Sequence, residues 1–258
     1  MHYFIDTHAH IYLPEFDTDR QAVIQQARES GVEKILMPNI DENSIEAMLA
    51  TGQQFPDTCY PMIGLHPCSV RGTVQQQLYT IESWLTKQPF IAIGEMGTDR
   101  YWDTTYWDQQ LEAFRVQAAW AKKLKLPLVI HCRQSLDETL ELLEQLQDGS
   151  LTGVFHCFSG SLQQARRILQ LGFYLGIGGV ATFKNAGLDK VLPQVPVEKI
   201  ILETDSPYLA PVPYRGRRNV PAYLIQVAEK VAGFYGTTTA MLRSTTTRNA
   251  LDLFNHVC

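Results

Sequence analysis

The chain has 258 residues, of which 45% are hydrophobic and 19% charged, and a formal charge of −5 from 22 Lys+Arg against 27 Asp+Glu. Such a composition excludes a disordered chain and argues against broad charge-driven binding to nucleic acid, so a polyanion would have to be held by a local basic patch. No run of about 18 apolar residues reads as a membrane span, and the opening Met1-His2-Tyr3-Phe4-Ile5-Asp6 has neither the basic start nor the unbroken apolar stretch of a signal peptide.

The predicted elements alternate. Residues 3–6 read as a strand, 21–30 as a helix stopped by Gly31, 34–37 as a strand and 45–54 as a helix. Strand 60–64, helix 75–87, strand 90–94 and helix 107–125 follow. Strand 127–130, helix 136–146, strand 153–155 and helix 162–171 come next, the last stopped by Gly172. Strands 173–176 and 199–202 and helices 222–235 and 239–254 complete the chain. Eight short apolar strands alternating with helices predict a parallel sheet covered on both faces, and eight is the number that closes a barrel. An open doubly wound sheet would carry a glycine-rich turn after its first strand; here that place holds Asp6-Thr7-His8-Ala9-His10. No compositional break or linker divides the chain. The expected fold is therefore α/β, a single-domain (β/α)8 TIM barrel, regular or distorted, over residues 1–258.

Five cysteines, Cys59, Cys68, Cys132, Cys157 and Cys258, make an odd count with no Cys-x-x-Cys pair. A disulfide framework or zinc ribbon is not expected, and a reduced, cytoplasmic protein is.

Residues with metal-binding chemistry gather after the strands. His8 and His10 follow the first, His66 the third, Glu95 the fourth, His131 the fifth, His156 the sixth, and Glu203 and Asp205 the eighth. In a barrel all these positions lie at one mouth, where active sites are built. A His-x-His pair in isolation is more often chance or structural. On extended backbone, however, residues i and i+2 share a side, and the matching positions of His131, His156 and Asp205 favour a metal site. Imidazole suits Zn2+ and Mn2+, carboxylate Mg2+ and Mn2+. Glu95 follows an apolar run in which an unpaired carboxylate is costly. Its two oxygens could bridge two cations, and a helix cap or salt bridge is its structural alternative. Asp205 could be both ligand and proton acceptor for a metal-activated water. Glu203 could orient a histidine or be structural. By alternation Cys132 and Cys157 turn away from the mouth and pack.

Weaker signals surround this set. The cluster Gly176-Ile177-Gly178-Gly179 is either a phosphate cradle or a tight turn. Arg133, Arg215, Arg217 and Arg218 could hold phosphate or be solvated. Tyr101, Trp102, Tyr106 and Trp107 could stack on bases or belong to a helix start. His2 and His256 sit near the termini and read as structural.

Taken in order, Asp6-Thr7-His8-Ala9-His10, Gly64-Leu65-His66-Pro67, Gly94-Glu95-Met96-Gly97-Thr98-Asp99, Ile130-His131-Cys132-Arg133, Phe155-His156-Cys157-Phe158-Ser159-Gly160 and Glu203-Thr204-Asp205-Ser206-Pro207 resemble the motifs of the TatD-type metal-dependent deoxyribonuclease family, a branch of the amidohydrolase-like barrels. Arg215-Gly216, Asn219 and Pro221 resemble that family's late element. The resemblance implies a two-metal centre with His8, His10, Glu95, His131, His156 and Asp205 as ligands, and Glu95 as the bridge. It also implies a 3′-directed deoxyribonuclease activity. Two departures bear on substrate contacts: Thr98-Asp99-Arg100 stands where Leu-Asp-Tyr is usual, and Cys68 stands where many members have a second histidine.

The expectation is thus a hydrolase with two divalent ions per chain (Zn2+, Mg2+ or Mn2+) that cleaves DNA phosphodiester bonds by a metal-activated water. Asp205 and Glu95 carry the chemistry, and His66, Arg133 and Arg217 contact the substrate. The alternative is a hydrolase of a small amide, ester or lactone using the same metal-bound hydroxide; a non-catalytic metal scaffold ranks last. DNA or another phosphodiester is the expected partner, with no membrane and no obligate protein partner.

Overall fold

Apolar and amphipathic runs fold as their periods require. The computed structural model describes residues 2–255; His256 and Cys258 lie outside the described residues. The order is β1 (Phe4–Asp6), α1 (Arg20–Glu29), β2 (Val32–Met37), α2 (Ile45–Gln54), β3 (Cys59–Pro61), α3 (Val74–Leu85), β4 (Ile93–Asp99), α4 (Trp107–Leu124), β5 (Leu128–Arg133), α5 (Leu136–Leu146), β6 (Gly153–Phe155), α6 (Leu162–Gln170), β7 (Tyr174–Ile177), α7 (Leu188–Val191), β8 (Ile200–Leu202), α8 (Leu224–Phe234) and α9 (Thr239–Leu253). Gly31 and Gly172, at φ +85° and +86°, leave α1 and α6 through the left-handed conformation that glycine adopts without strain. Ser161 and Gln164 form a reciprocal cap at the start of α6. The one-turn α7 was not predicted: four residues are too few to show helical period.

The strands pair in parallel as β1-β2-β3 and β4-β5-β6-β7-β8. Both seams between these sheets carry hydrogen bonds. Ile63 N–H donates to Ala92 O (3.2 Å) and Gly94 N–H to Ile63 O (2.8 Å); Thr7 N–H donates to Leu202 O (3.1 Å) and His10 N–H to Ser206 O (2.7 Å). The eight strands therefore run round in sequence order as a ring.

Alternation sorts the side chains into two cores. Ile5, Leu36, Met62, Ala92, Val129, Val154 and Ile201, from or beside seven different strands, pack on one another. Residues from so many strands can meet only inside the ring. Ile35, Met37, Ile93, Met96, Leu128, Ile130, Phe155, Leu175 and Leu202 instead join the layer shared with the helices. Burying each such aliphatic side chain contributes roughly 1.5–3 kcal/mol. Ala250, Leu253 and Phe254 complete the inner core. Thr247 donates to Tyr3 O (2.8 Å), and Asn249 to Val197 O (2.9 Å) and Ile200 O (2.8 Å), all at N-terminal strand ends. Helix α9 thus closes that end and leaves the opposite end as the mouth. Among the described residues no helix is long and apolar enough to cross a membrane.

Candidate metal centre

The next inward position after Val129 is His131, after Val154 it is His156, and after Ile201 it is Glu203. Glu95 arrives by a different route. Ala92 faces inward and Ile93 outward, so strict alternation would send Glu95 outward with Ile93. The register shows why it does not. Ile93 pairs with Leu128 but Met96 pairs with Ile130, so three steps along β4 face two along β5. The extra residue is a bulge, which re-aims the side chains that follow it. Met96 then faces out, and Glu95 and Asp99 face in. A Cβ on Gly94 would lie 2.6 Å from Val129 Cβ, so only glycine fits beside the bulge. The predicted strand 90–94 is therefore displaced to Ile93–Asp99, and Glu95 lies within the strand rather than after it.

Two groups of donor atoms meet on the Glu95 carboxylate. His8 Nε2 and His10 Nε2 lie 3.2 Å apart and stand 3.1 Å and 3.3 Å from Glu95 Oε2. Asp205 Oδ1 is 3.7 Å from His8 Nε2 and 3.6 Å from His10 Nε2. On the other oxygen, Oε1, His131 Nδ1 is at 3.0 Å and His156 Nε2 at 2.9 Å, and those two nitrogens are 3.2 Å apart. Four donors held about 2.1 Å from a tetrahedral divalent ion stand about 3.4 Å from one another. His8, His10 and Glu95 Oε2 have that spacing, with Asp205 Oδ1 close to the two histidines, and the second group offers three donors with a position to spare.

Hydrogen bonds at the far side of each ring decide which nitrogen presents a lone pair. Tyr12 Oη donates to Pro38 O (2.7 Å), so it accepts from His10 Nδ1–H (3.0 Å), which leaves His10 Nε2 as a lone pair. His131 Nε2–H donates to Asp99 Oδ2 (2.9 Å), leaving Nδ1 as a lone pair. Glu203 Oε1 lies 3.5 Å from His156 Nδ1 and accepts the Cys157 N–H, so it attracts the ring electrostatically. Such carboxylate and hydroxyl partners are what orient metal-ligating histidines. In the neutral form that binds metal, His10 and His131 turn lone pairs toward a Glu95 oxygen at 3.0–3.3 Å, an arrangement that a cation between them relieves as a proton would. The residues present therefore fit divalent ions.

His66 differs. Its Nε2 is 3.2 Å from Glu95 Oε1, close enough for a ligand. But its Nδ1 accepts the Cys68 N–H (3.0 Å), so the proton of the neutral ring sits on Nε2. His66 therefore points a donor into the centre.

Burial and the neighbouring His156 hold His8 well below the usual imidazole range, which keeps it neutral as a ligand must be. Burial opposes ionisation of Glu95, but His156, His66 and His8 outweigh it, and the carboxyl is held well below its ordinary value. Burial raises Asp205 to about 6, against the pull of His156 and His10.

All six predicted ligands thus converge, and His66 joins them. Of these, His10, His66, Glu95, His131, His156 and Asp205 line a cavity of about 860 Å3 together with Arg133, Trp102 and Tyr208, and His8 is buried behind them. Arg217 is exposed and is not among the lining residues; Arg218 is turned away onto Asp19 (2.6 Å). The glycines at the end of β7 and just after it answer to packing: a Cβ on Gly176 would strike Glu203 Oε2, and one on Gly179 would strike Leu209 O. Cys132 packs against the outer core, the direction alternation required, while also bordering the cavity. Cys157 does not follow the rule. Strand β6 ends at Phe155, Cys157 has φ +48°, and it lines the cavity. Asp99 and Tyr12 were not assigned from sequence. The signal was present, since Tyr12 extends the His8, His10 series by two and Asp99 lies four residues beyond Glu95 in one strand.

The family model described as TatD related DNase matches residues 5–255. The uncharacterized metal-dependent hydrolase YabD of Bacillus subtilis is 38% identical over 250 residues, covering 96% of this chain and 98% of that protein. The 3′-5′ ssDNA/RNA exonuclease TatD of Erwinia tasmaniensis is 31% identical over 247 residues, covering 93% and 95%. The crystal structure of the TatD homologue YjjV from Escherichia coli K12 superposes with a TM-score of 0.92 at 30% identity, covering 98% of each chain. A parallel eight-stranded ring, a histidine–carboxylate centre at its mouth and these matches along nearly its whole length agree: the chain belongs to the TatD-related DNase family of metal-dependent hydrolases.

Proposed function

We propose that residues 1–258 act as one catalytic barrel that hydrolyses phosphodiester bonds of single-stranded nucleic acid with two divalent ions. The observation that carries this reading is the division of the Glu95 carboxylate, one oxygen facing His8 and His10, with Asp205 beside those two rings, and the other facing His131 and His156. His8, His10, Asp205 and Glu95 Oε2 would hold one ion, and His131, His156 and Glu95 Oε1 the other. Zn2+ or Mn2+ suits so many imidazoles better than Mg2+. Ions bound there supply a lowered water pKa and charge neutralisation at the phosphate.

The chain's own groups do the rest. Asp205, which burial raises to about 6, accepts the proton of the attacking water. His66 Nε2–H donates to a non-bridging phosphate oxygen. Arg133, on the cavity wall, pairs with the phosphate charge. Arg217 is the more distant contact, reached by a strand running over the exposed loop after β8. The relative named as a 3′-5′ ssDNA/RNA exonuclease supports a single-stranded substrate.

The test is a panel run on metal-loaded protein and on Glu95→Gln, with single-stranded DNA, single-stranded RNA, a lactone, an ester and an amide. Shortening of the oligonucleotides by the wild type, lost together with bound metal in Glu95→Gln, supports the reading. Turnover of the lactone, ester or amide with intact oligonucleotides refutes it.

A further inference from the structure

Beside the metal centre the loop after β4 places two aromatic rings in solvent. Tyr101 is 47% exposed and Trp102 68% exposed, and the rings meet edge to face with centroids 4.8 Å apart. Two adjacent exposed rings offer flat apolar faces to a partner, and here the backbone that carries them is fixed rather than loose. Asp99 Oδ1 accepts the Tyr101 N–H (2.7 Å) and the Trp102 N–H (3.1 Å). The other oxygen of the same carboxylate holds His131 (2.9 Å). The Arg133 guanidinium lies 3.6 Å from the Tyr101 ring centroid and 5.2 Å from that of Trp102. Trp102 and Arg133 both line the cavity that contains Glu95, His131 and Asp205.

Resting on the phosphodiesterase reading above, we propose that Tyr101, Trp102 and Arg133 form a platform that stacks the nucleobase next to the scissile phosphodiester and so selects single strands. A base in a duplex has both faces covered by its neighbours and cannot offer one to Trp102; an unpaired base can. The guanidinium on the Tyr101 ring lines the same cavity as Glu95, His131 and Asp205, where it can meet the charge of the linking phosphate. An amide or lactone has no base to place here. Asp99 makes platform and centre a single unit, because one carboxylate anchors the loop that carries the rings and the histidine that faces Glu95. Trp102 and Tyr101 are specificity residues in this scheme, since they touch the base and not the reacting atoms.

The experiment compares metal-loaded wild type, Trp102→Ala, Trp102→Phe and Tyr101→Ala on two single-stranded DNA oligonucleotides, one with every base present and one with an abasic residue flanking the bond cleaved. Binding of a phosphorothioate-linked version of each is followed by fluorescence anisotropy. One aromatic–base stack is worth roughly 5- to 150-fold in binding. Wild type should therefore prefer the complete strand by about that factor in both Kd and KM, with a smaller change in kcat. Trp102→Ala should bring the ratio between complete and abasic strands toward one, and Trp102→Phe should restore most of it. An unchanged ratio in Trp102→Ala and Tyr101→Ala, with both oligonucleotides still cleaved, overturns the platform and leaves the phosphodiesterase reading standing. Failure of wild type to cleave or bind either oligonucleotide overturns both.

Discussion

Replacing Asp99 by Asn changes no more than one oxygen into an NH2 group, yet the structure gives it no harmless orientation. With the new amide nitrogen toward His131, two N–H donors face each other where the Asp99 Oδ2 to His131 Nε2 distance is 2.9 Å. The ring relieves that clash by carrying its proton on Nδ1, which removes the lone pair now aimed at Glu95 Oε1 from 3.0 Å. With the amide reversed, its nitrogen meets the Tyr101 and Trp102 N–H groups instead, and the loop loses both anchors. The carboxylate is well suited to its place. Burial opposes its ionisation, but hydrogen bonds from His131 and from the Trp102 and Tyr101 backbone outweigh this and hold its pKa at about 2. A buried hydrogen bond to a charged group is worth about 1.5–3 kcal/mol, and loss of a partner that orients a ligating histidine lowers metal affinity about 10- to 100-fold. The two figures agree, since tenfold is about 1.4 kcal/mol. Competition with a chromophoric chelator for Zn2+ or Mn2+ should therefore show one ion weakened about 10- to 100-fold in Asp99→Asn. The ion held by His8, His10 and Asp205 should stay within about threefold. Wild-type affinity for both ions would refute the assignment of His131 Nδ1 as a ligand and of Asp99 as the group that sets its tautomer.

Tyr12→Phe keeps the ring but removes the hydroxyl between His10 and Pro38. It should weaken the other ion by about 10-fold, and an unchanged chelator titration would show that His10 needs no such anchor. Asp205→Asn should lower the rate at saturating metal by ~10²–10⁴-fold while leaving an oxygen for the ion; recovery of the wild-type rate on raising the metal would make Asp205 a ligand only. Gly176→Ala sets a methyl group against Glu203 Oε2 and should cost about 1–3 kcal/mol in urea denaturation. Unaltered stability would mean that Glu203 moves aside freely. Burial pushes the Cys59 thiol up to about 12. Because the folded value lies above the unfolded one, the stability this lends is complete below the ordinary thiol range and is lost as pH rises toward 12. At pH 8 a thiol reagent should reach Cys59 only through unfolding, and rapid labelling of the native protein, read by peptide mass spectrometry, would contradict its burial.

Much of this protein was legible before any coordinates. The eight apolar runs fell on the eight strands because strands buried on both faces need continuous apolar sequence. The helices ended within a residue or two of their predicted stops because Gly31 and Gly172 have no steric bar to positive φ. The six candidate ligands were nameable because a parallel barrel brings every strand's C-terminal end to one face. Side-chain direction is another matter, since it depends on the parity of each strand and a single extra residue reverses it. Strict alternation from Ala92 would have left Glu95 among the helices, and only the bulge between Ile93 and Met96, measured against β5, turns it inward. Cys157 escaped its expected orientation because β6 stops two residues before it. The tautomers were likewise invisible in the sequence. His66 and His131 are alike in composition and position, yet one receives a backbone N–H at Nδ1 and the other gives its N–H to Asp99. Sequence determined which chemical groups reach the mouth. Whether each arrives as a lone pair or as a proton is set by its hydrogen-bond partner: for His131 that is Asp99 on the neighbouring strand, which only the closed ring brings to 2.9 Å, and for His66 and His10 it is the local backbone path that places Cys68 and Tyr12.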